Sequence, residues 1–322
     1  MPATKSNCLL AQGDALGPAI ARAAEVIRAG GTVAVPTETV YGLAARADSD
    51  DAVAAIYRAK GRPDFNPLIV HVADQWSASG LAFFDRDARK LASEFWPGPL
   101  TLVLPRHERA GLSAAVSAGL PTIAVRCPAH PVMRALLAAT GLPLAAPSAN
   151  RSGGVSPTTA GHVFDSLGNR VDLILDGGRC ARGIESTIVA VRQNSGCIVG
   201  WSLLRPGPIS AEAIAAVLGS APMPTAGSGI EAPGQLASHY APGKPVRLGA
   251  ERPAADEFMI GFGPVPGDVT LSADGDLAEA AARLYACLHA GAAAAQPRLA
   301  IAPIPDHDIG LAINDRLRRA AA

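Results

Sequence analysis

One stretch, Val35 to His71, limits what this chain can become. It reads Val35-Pro36-Thr37-Glu38-Thr39-Val40-Tyr41-Gly42-Leu43, then a helical pattern, then Lys60-Gly61-Arg62-Pro63-Asp64-Phe65-Asn66-Pro67-Leu68-Ile69-Val70-His71. Each end leaves or enters a β-like run at a proline or glycine. Polar groups crowd both exits: hydroxyls, a carboxylate and a phenol at one, two cations, an amide and an imidazole at the other. Side chains gathered at strand ends on an α/β frame are how a site is built on the rim of a sheet.

The spacing of apolar residues predicts the surrounding elements. A helix over 18–29 has Ile20, Ala23, Ala24 and Ile27 on one face, and Gly30-Gly31 follows it. A buried strand over 32–35 stops at Pro36, which has no N–H to donate. Asp48-Ser49-Asp50-Asp51 supplies a cap and negative charge for a helix through Ala59. Strands follow over 68–72, 100–104, 122–125, 171–175, 186–191 and 198–204. Helices are expected over 87–95, 131–139 and 210–218, and Ser156-Pro157 reads as the cap and first position of another. This interleaving gives an α/β fold with an open, twisted mixed sheet. Residues 1–218 form the first domain. Residues 219–245 are dense in Pro, Gly, Ser and Ala and read as a linker. Residues 246–322 carry three further strands and two helices, a smaller α/β domain.

Composition narrows the function. At 322 residues, with 49% apolar and 17% charged side chains, the chain can bury large cores. Its 28 basic and 28 acidic residues cancel, which argues against a polyelectrolyte wrapped on nucleic acid. The cysteines are Cys8, Cys127, Cys180, Cys197 and Cys287, without a C-x-x-C pair, so neither a disulfide framework nor a zinc site is indicated. No signal-peptide pattern and no membrane-length apolar run is present, and a cytoplasmic protein is expected. P-loop, dinucleotide, HExxH and nucleophile-elbow motifs are absent.

What remains is a set of polar clusters at strand ends: 37–41, Lys60 to His71, Thr122 to Arg126, Ser148-Ala149-Asn150 with Ser156, Glu185-Ser186-Thr187, and Arg205-Pro206-Gly207. Lys60 is one of only four lysines, with Lys5, Lys90 and Lys244. It could be a plain helix-end cation, where charge suits the dipole and contributes little to folding. Lys60, Arg62, Arg126 and Arg205 gathered around one cleft would suit a triphosphate.

Taken together, these residues resemble the YrdC-like threonylcarbamoyl-AMP synthase family in its long form. The resemblance is carried by Pro36 to Leu43, Lys60-Gly61-Arg62-Pro63 with Asn66-Pro67-Leu68, Trp96-Pro97-Gly98-Pro99-Leu100-Thr101, Ser148-Ala149-Asn150, Ser186-Thr187-Ile188, Arg205-Pro206-Gly207 and His239-Tyr240-Ala241-Pro242. It spans residues 30–242. It implies a concave, positive cleft that takes L-threonine, bicarbonate and ATP, with Mg2+ brought by the ATP phosphates and no metal site of the protein's own. It implies threonylcarbamoyl-adenylate and pyrophosphate as products, the former passed to a separate tRNA threonylcarbamoyl transferase. By the same resemblance, Thr39, His71, Arg126, Ser148 and Ser186 would hold threonine. Lys60, Arg62, Asn66, Thr122, Asn150, Ser156, Arg205 and Tyr240 would hold ATP, and Lys60 and Arg62 would be catalytic. Tyr240 would reach in from a linker folded over the site. A direct contact of the synthase with tRNA is left open, and an RNA-binding module without catalysis is the alternative function. A hydrogenase-maturation carbamoyl-transfer protein ranks low, since its acylphosphatase-like domain and zinc-finger cysteines have no counterpart here.

Overall fold

The computed structural model describes residues 7–194, 197–224, 231–234 and 239–322. The parts of the expected linker at 225–230 and 235–238 lie outside the described residues.

The first unit is one mixed sheet of ten strands. In chain order they are β1 (Cys8–Leu10), β2 (Val33–Pro36), β3 (Tyr41–Arg46), β4 (Ile69–His71), β5 (Leu100–Pro105), β6 (Thr122–Arg126), β7 (Leu144–Ala145), β8 (Leu173–Asp176), β9 (Thr187–Asn194) and β10 (Cys197–Arg205). Across the sheet the order is β1-β8-β2-β3-β7-β4-β6-β5-β9-β10. The helices are α1 (Leu16–Arg28), α2 (Asp50–Lys60), α3 (Gln75–Ser79), α4 (Arg86–Phe95), α5 (Pro131–Thr140), α6 (Ala160–Leu167) and α7 (Ala211–Leu218).

Alternation along the strands decides which helix covers which face. Ala34, Leu43, Val70, Leu102 and Ile174 point into a core with residues of α2, α4, α6 and α7. Val33, Val35, Ala44, Leu144 and Leu173 point the other way and pack on α1 and α5. Those two helices cover only half of that second face. Ile69, Val103, Ala124, Ile188, Ala190 and Leu204 belong to a separate small cluster, closed by Ala232 of the linker segment. The half-bare face is where the sheet can accept a ligand.

Helix α2 shows how sequence sets these elements. Ser49 accepts the Ala52 N–H, Asp50 and Asp51 occupy the first turn, and Gly61 ends the helix in the left-handed conformation at φ 60°. Two expectations change. The chain does not leave the sheet after Pro36: Pro36 pairs with Tyr41, and β2 and β3 form an antiparallel hairpin. Nor does Ser156 cap a helix. The cap of α6 is Thr159, which accepts the His162 N–H, while the Ser156 side chain turns inward and is buried.

The second unit has a four-stranded parallel sheet in the order β11-β14-β12-β13, from β11 (Val246–Leu248), β12 (Glu257–Gly261), β13 (Val269–Thr270) and β14 (Arg298–Ile301). Its helices are α8 (Leu277–Ala293) and α9 (Ile309–Ala320). Its core is continuous with the first unit: Val40, Val155, Ile184 and Tyr240 share one cluster with Leu284, Tyr285, Ile301 and Ile313.

Candidate active site

A cleft opens on the half-bare face. The β2–β3 turn forms one wall. Its backbone is fixed locally: Thr37 Oγ1 donates to the Val40 carbonyl at 2.7 Å and accepts from the Thr39 and Val40 N–H groups, each at 3.2 Å. That holds the Thr39 hydroxyl 2.7 Å from Thr37 Oγ1 and 3.0 Å from Arg126 Nη1. Arg126 closes β6 and is 3% exposed. Its Nη2 meets Glu38 Oε1 at 2.6 Å. Burial works against the Glu38 charge, but Arg126 and the Ala129 N–H hold its carboxyl below the usual range.

His71 ends β4 beside Arg126. Burial first, and Arg126 second, push its imidazole down to about 3, so the ring is neutral at working pH. Its Nδ1 is buried with no protein partner, as is His239 Nδ1 across the cleft. A buried polar atom without a partner costs stability, and at a site it waits for a ligand.

The opposite wall comes from β9 and β10. Ser186 Oγ lies 2.7 Å from Thr101 Oγ1, and its carbonyl accepts Arg205 Nε and Nη2 at 3.1 and 3.0 Å. Arg205 ends β10 and is buried. Gly207 explains why the chain can turn so tightly there: a Cβ on it would meet Thr187 N at 2.4 Å and Ser186 C at 2.7 Å. Arg62 forms the third cationic wall. Its guanidinium donates to Asn66 Oδ1 at 2.7 Å and the Pro67 carbonyl at 2.8 Å, and burial draws it down to about 10.

The structure thus gathers Thr39, His71, Arg126, Ser148 and Ser186 on one cleft, together with Arg62, Arg205 and Tyr240. Other expected residues stand behind this surface. Lys60 is 3% exposed, not a solvated helix-end cation. Its Nζ donates to the Ser148 carbonyl at 2.6 Å and the Asn150 carbonyl at 2.5 Å, tying α2 to the turn after β7. Burial, then Arg62, pulls its ammonium well below the ordinary lysine value. Asn66 braces Arg62. Asn150 Nδ2 ties down the Arg151 and Gly154 carbonyls while its Oδ1 stays unpartnered. Ser156 Oγ donates to Glu185 Oε1 at 2.6 Å. Thr122 lies at the start of β6 opposite Pro105, outside the cleft lining.

The segment 231–234 and residues 239–240 form the roof. Pro233, Gly234, His239 and Tyr240 all line the cleft. Tyr240 takes a left-handed φ of 64°, unusual for a bulky side chain. Its ring lies 4.1 Å from that of His239 and 5.5 Å from that of Tyr285. It therefore both faces the cleft and anchors the second unit. Thr37, Glu185 and His239 are lining residues to which no role was assigned from sequence, and Glu38 stands behind the lining as the partner of Arg126. Glu38 and Glu185 stood inside the quoted clusters, but their partners are 88 and 131 residues away, at Arg126 and Arg316.

Among the described residues, no group of three or more His, Cys, Asp or Glu side chains could hold a metal ion. The Glu185 carboxylate in the lining and the Glu38 carboxylate behind it are both engaged by arginines. A metal held by protein ligands alone does not fit this site. None of the described helices is long and apolar enough to cross a membrane.

An open α/β sheet whose bare face gathers three guanidiniums, several hydroxyls and a neutral imidazole defines a protein that holds an anionic small molecule beside a polar one. The comparisons make the class specific. The Sua5/YciO/YrdC family model, described as telomere recombination, matches residues 25–207, and the model for the threonylcarbamoyl-AMP synthase C-terminal domain matches residues 209–322. The threonylcarbamoyl-AMP synthase of Bacillus subtilis is 45% identical over 76% of this chain and 70% of its own length. That of Pyrococcus abyssi is 44% identical over 68% of this chain and 64% of its own. A crystal structure of P. abyssi Sua5 complexed with L-threonine superposes with a TM-score of 0.88 at 34% identity, covering 98% of this chain and 97% of that one. The chain belongs to the threonylcarbamoyl-AMP synthase family, in the long form with the additional C-terminal domain, and its enzymatic class is nucleotidyl transfer.

Proposed function

We propose that this protein makes L-threonylcarbamoyl-adenylate and pyrophosphate from L-threonine, bicarbonate and ATP. The observation that carries the reading is the single cleft on which Thr39, His71, Arg126, Ser148 and Ser186 converge with Arg62 and Arg205. Arg126 offers a guanidinium to the threonine carboxylate, and Thr39 and Ser186 offer hydroxyls. Neutral His71 presents Nδ1 to a polar group of the amino acid without adding charge. Arg62 and Arg205 face the phosphates, with Lys60 holding the Ser148 and Asn150 carbonyls behind them and Asn66, Asn150 and Ser156 completing that support. Thr122, outside the cleft lining, is assigned to ATP by the family resemblance alone, and Tyr240 covers the nucleotide end.

The threonine amine and bicarbonate condense to a carbamate with loss of water. A carbamate oxygen then forms a bond to the α-phosphorus of ATP as the bond to pyrophosphate breaks. No protein nucleophile is needed. Positioning and fixed positive charge supply the catalysis, as in other phosphoryl transfers. Mg2+ enters as part of the substrate, bound to ATP phosphates. On this reading the product supports threonylcarbamoyladenosine formation in tRNA through a downstream transferase, and the cytoplasm, where tRNA and ATP are both at hand, is the location proposed with it.

Pyrophosphate release from ATP tests this. It is expected only when threonine and bicarbonate are both present. Serine turns over more slowly, because the missing methyl forfeits about 1–3 kcal/mol in a pocket shaped for threonine. Equal turnover with either co-substrate withheld refutes the reading.

A further inference from the structure

Two side chains of the second unit reach the wall of the cleft. Tyr285 of α8 donates its hydroxyl to Glu185 Oε2 at 2.7 Å, and Arg316 of α9 donates Nε to the same oxygen at 3.2 Å. Ser156 holds the other oxygen at 2.6 Å. Glu185 lines the cleft, while Tyr285 and Arg316 are both 0% exposed. Arg316 does more than pair with Glu185. Its Nη1 donates to the Pro206 carbonyl at 2.5 Å, in the turn that follows Arg205, and its guanidinium lies 5.8 Å from the Tyr240 ring centroid. One side chain of the last helix touches the cleft carboxylate, the Arg205 turn and the roof.

Adhesion alone does not call for this arrangement. A buried guanidinium loses its water, and an apolar side chain of similar volume holds two units together as well or better. What a buried, multiply bonded ion pair adds is direction. Glu185 is joined by one peptide bond to Ser186, whose carbonyl and hydroxyl carry three of the hydrogen bonds that set Arg205. A carboxylate free to swing would carry that peptide with it.

We propose that Arg316 and Tyr285 are positioning residues for the reaction, through which the second unit completes the active site. They fix the Glu185 carboxylate, and with it Ser186 and Arg205, in the arrangement that receives substrate. This rests on the synthase reading above. The groups that face Glu185 are Arg316, Arg205, Tyr285, Tyr240 and His239, and Asp315 accepts from Arg316 Nη1 at 3.1 Å. Burial raises the Glu185 carboxyl, but Arg316, then Arg205, then the Ser156 and Tyr285 hydrogen bonds outweigh it and hold it at about 2. Without Arg316, burial regains ground and the carboxyl takes up a proton at the acid end of the assay range.

The test is the pH profile of kcat/KM for pyrophosphate release between pH 5 and 9. It is measured on the full chain and on Arg316→Lys, Arg316→Gln, Tyr285→Phe and the double variant Arg316→Gln/Glu185→Gln. Rates are expressed per folded molecule from thermal melts. Arg316→Gln is expected to lose about tenfold or more at neutral pH and to acquire a new acid limb. Arg316→Lys recovers most of the rate and shows no new limb, and the double variant stays slow with the limb gone. Tyr285→Phe, which deletes one oxygen, moves the same way by less and carries the test where Arg316 variants fold poorly. A profile unchanged in Arg316→Gln, or a limb that persists in the double variant, overturns the proposal. Calorimetric binding of threonine and of ATP reads positioning without turnover. Affinity of Arg316→Gln for at least one of them falls as pH is lowered, and unchanged affinity for both overturns the proposal even where no product forms. An intact chain that binds both ligands yet releases no pyrophosphate counts instead against the synthase reading.

Discussion

Lys60 looks like a helix-end lysine in sequence and behaves as an interior strut in the fold. It serves two carbonyls, so Lys60→Ala should cost stability as well as rate. Leaving the Ser148 and Asn150 carbonyls without a donor costs about 1–3 kcal/mol. Lys90→Ala, on the exposed side of α4, should stay within about 0.5 kcal/mol. Urea melts measure this directly. Arg62→Ala is expected to lower pyrophosphate release per folded molecule by roughly tenfold to a hundredfold, since a charge-assisted contact in a desolvated cleft is lost. A second residue-scale effect is pH dependence of folding. His71 is depressed to about 3 in the folded chain against 6.5 for the free side chain. Between those values the unfolded chain binds more protons than the native one, so this stability is full above 6.5 and drains away as pH falls towards 3. Its contribution to the slope is about 1.4 kcal/mol per pH unit within the window. His239 and His162 are depressed in the same sense, so the intact chain keeps some slope when His71 is replaced. The urea midpoint should therefore fall from pH 7 to pH 5 in the intact chain and fall less in His71→Asn. Equal slopes in both would show that His71 is not buried neutral.

At the scale of elements, much was legible because local chemistry agrees with tertiary context. Ser49 with Asp50 and Asp51 marks the start of α2, Gly141 marks the end of α5, and Ser210 caps α7. The strands ending in Arg126 and Arg205 could be read from their apolar runs, and so could the clusters at their exits. What was hidden depends on distant partners. β3 carries small residues that pair on both sides, with β2 and β7, and the proline before it gives no sign that Tyr41 to Arg46 continue the sheet. Ser156-Pro157 has the look of a helix start, yet Glu185, 29 residues on, claims the serine. Gly207 stood in a quoted motif, but its reason is the backbone of Glu185 to Thr187 pressed against it. Gly207→Ala tests that reason. Its Cβ would fall 2.8 Å from the Glu185 carbonyl oxygen and closer still to the Ser186–Thr187 peptide, and backbone cannot rotate away as a side chain can. A loss of about 1–3 kcal/mol is expected, with weaker threonine binding by calorimetry. Binding and stability both unchanged would mean that the turn relaxes freely and does not set Ser186.

At the scale of the whole molecule the question is whether the chain after residue 218 is a tether with a passenger or part of the catalytic body. Composition favours a tether, since Pro/Gly-rich segments are commonly spacers. The packing favours the opposite. Tyr240 is 1% exposed, lines the cleft, and shares a core with Val40, Val155 and Ile184 of the first unit and Leu284 and Tyr285 of the second. A roof of this kind keeps water from a carbamate and an acyl-adenylate, both of which hydrolyse. Two chains separate the alternatives. Tyr240→Ala keeps the second unit and opens the roof. It should still bind threonine but consume ATP without matching product, or release the intermediate early. A chain ending at Ser220 loses the roof, Arg316 and Tyr285 together, and uncovers the apolar face around Val40 and Ile184. It should fail more deeply, with lower stability and little threonylcarbamoyl-adenylate formed for the ATP consumed. The measurement is the ratio of threonylcarbamoyl-adenylate to pyrophosphate in each, by chromatography of quenched reactions. If both chains accumulate the intermediate at the intact ratio, residues 219–245 are only a tether and the cleft is complete without them.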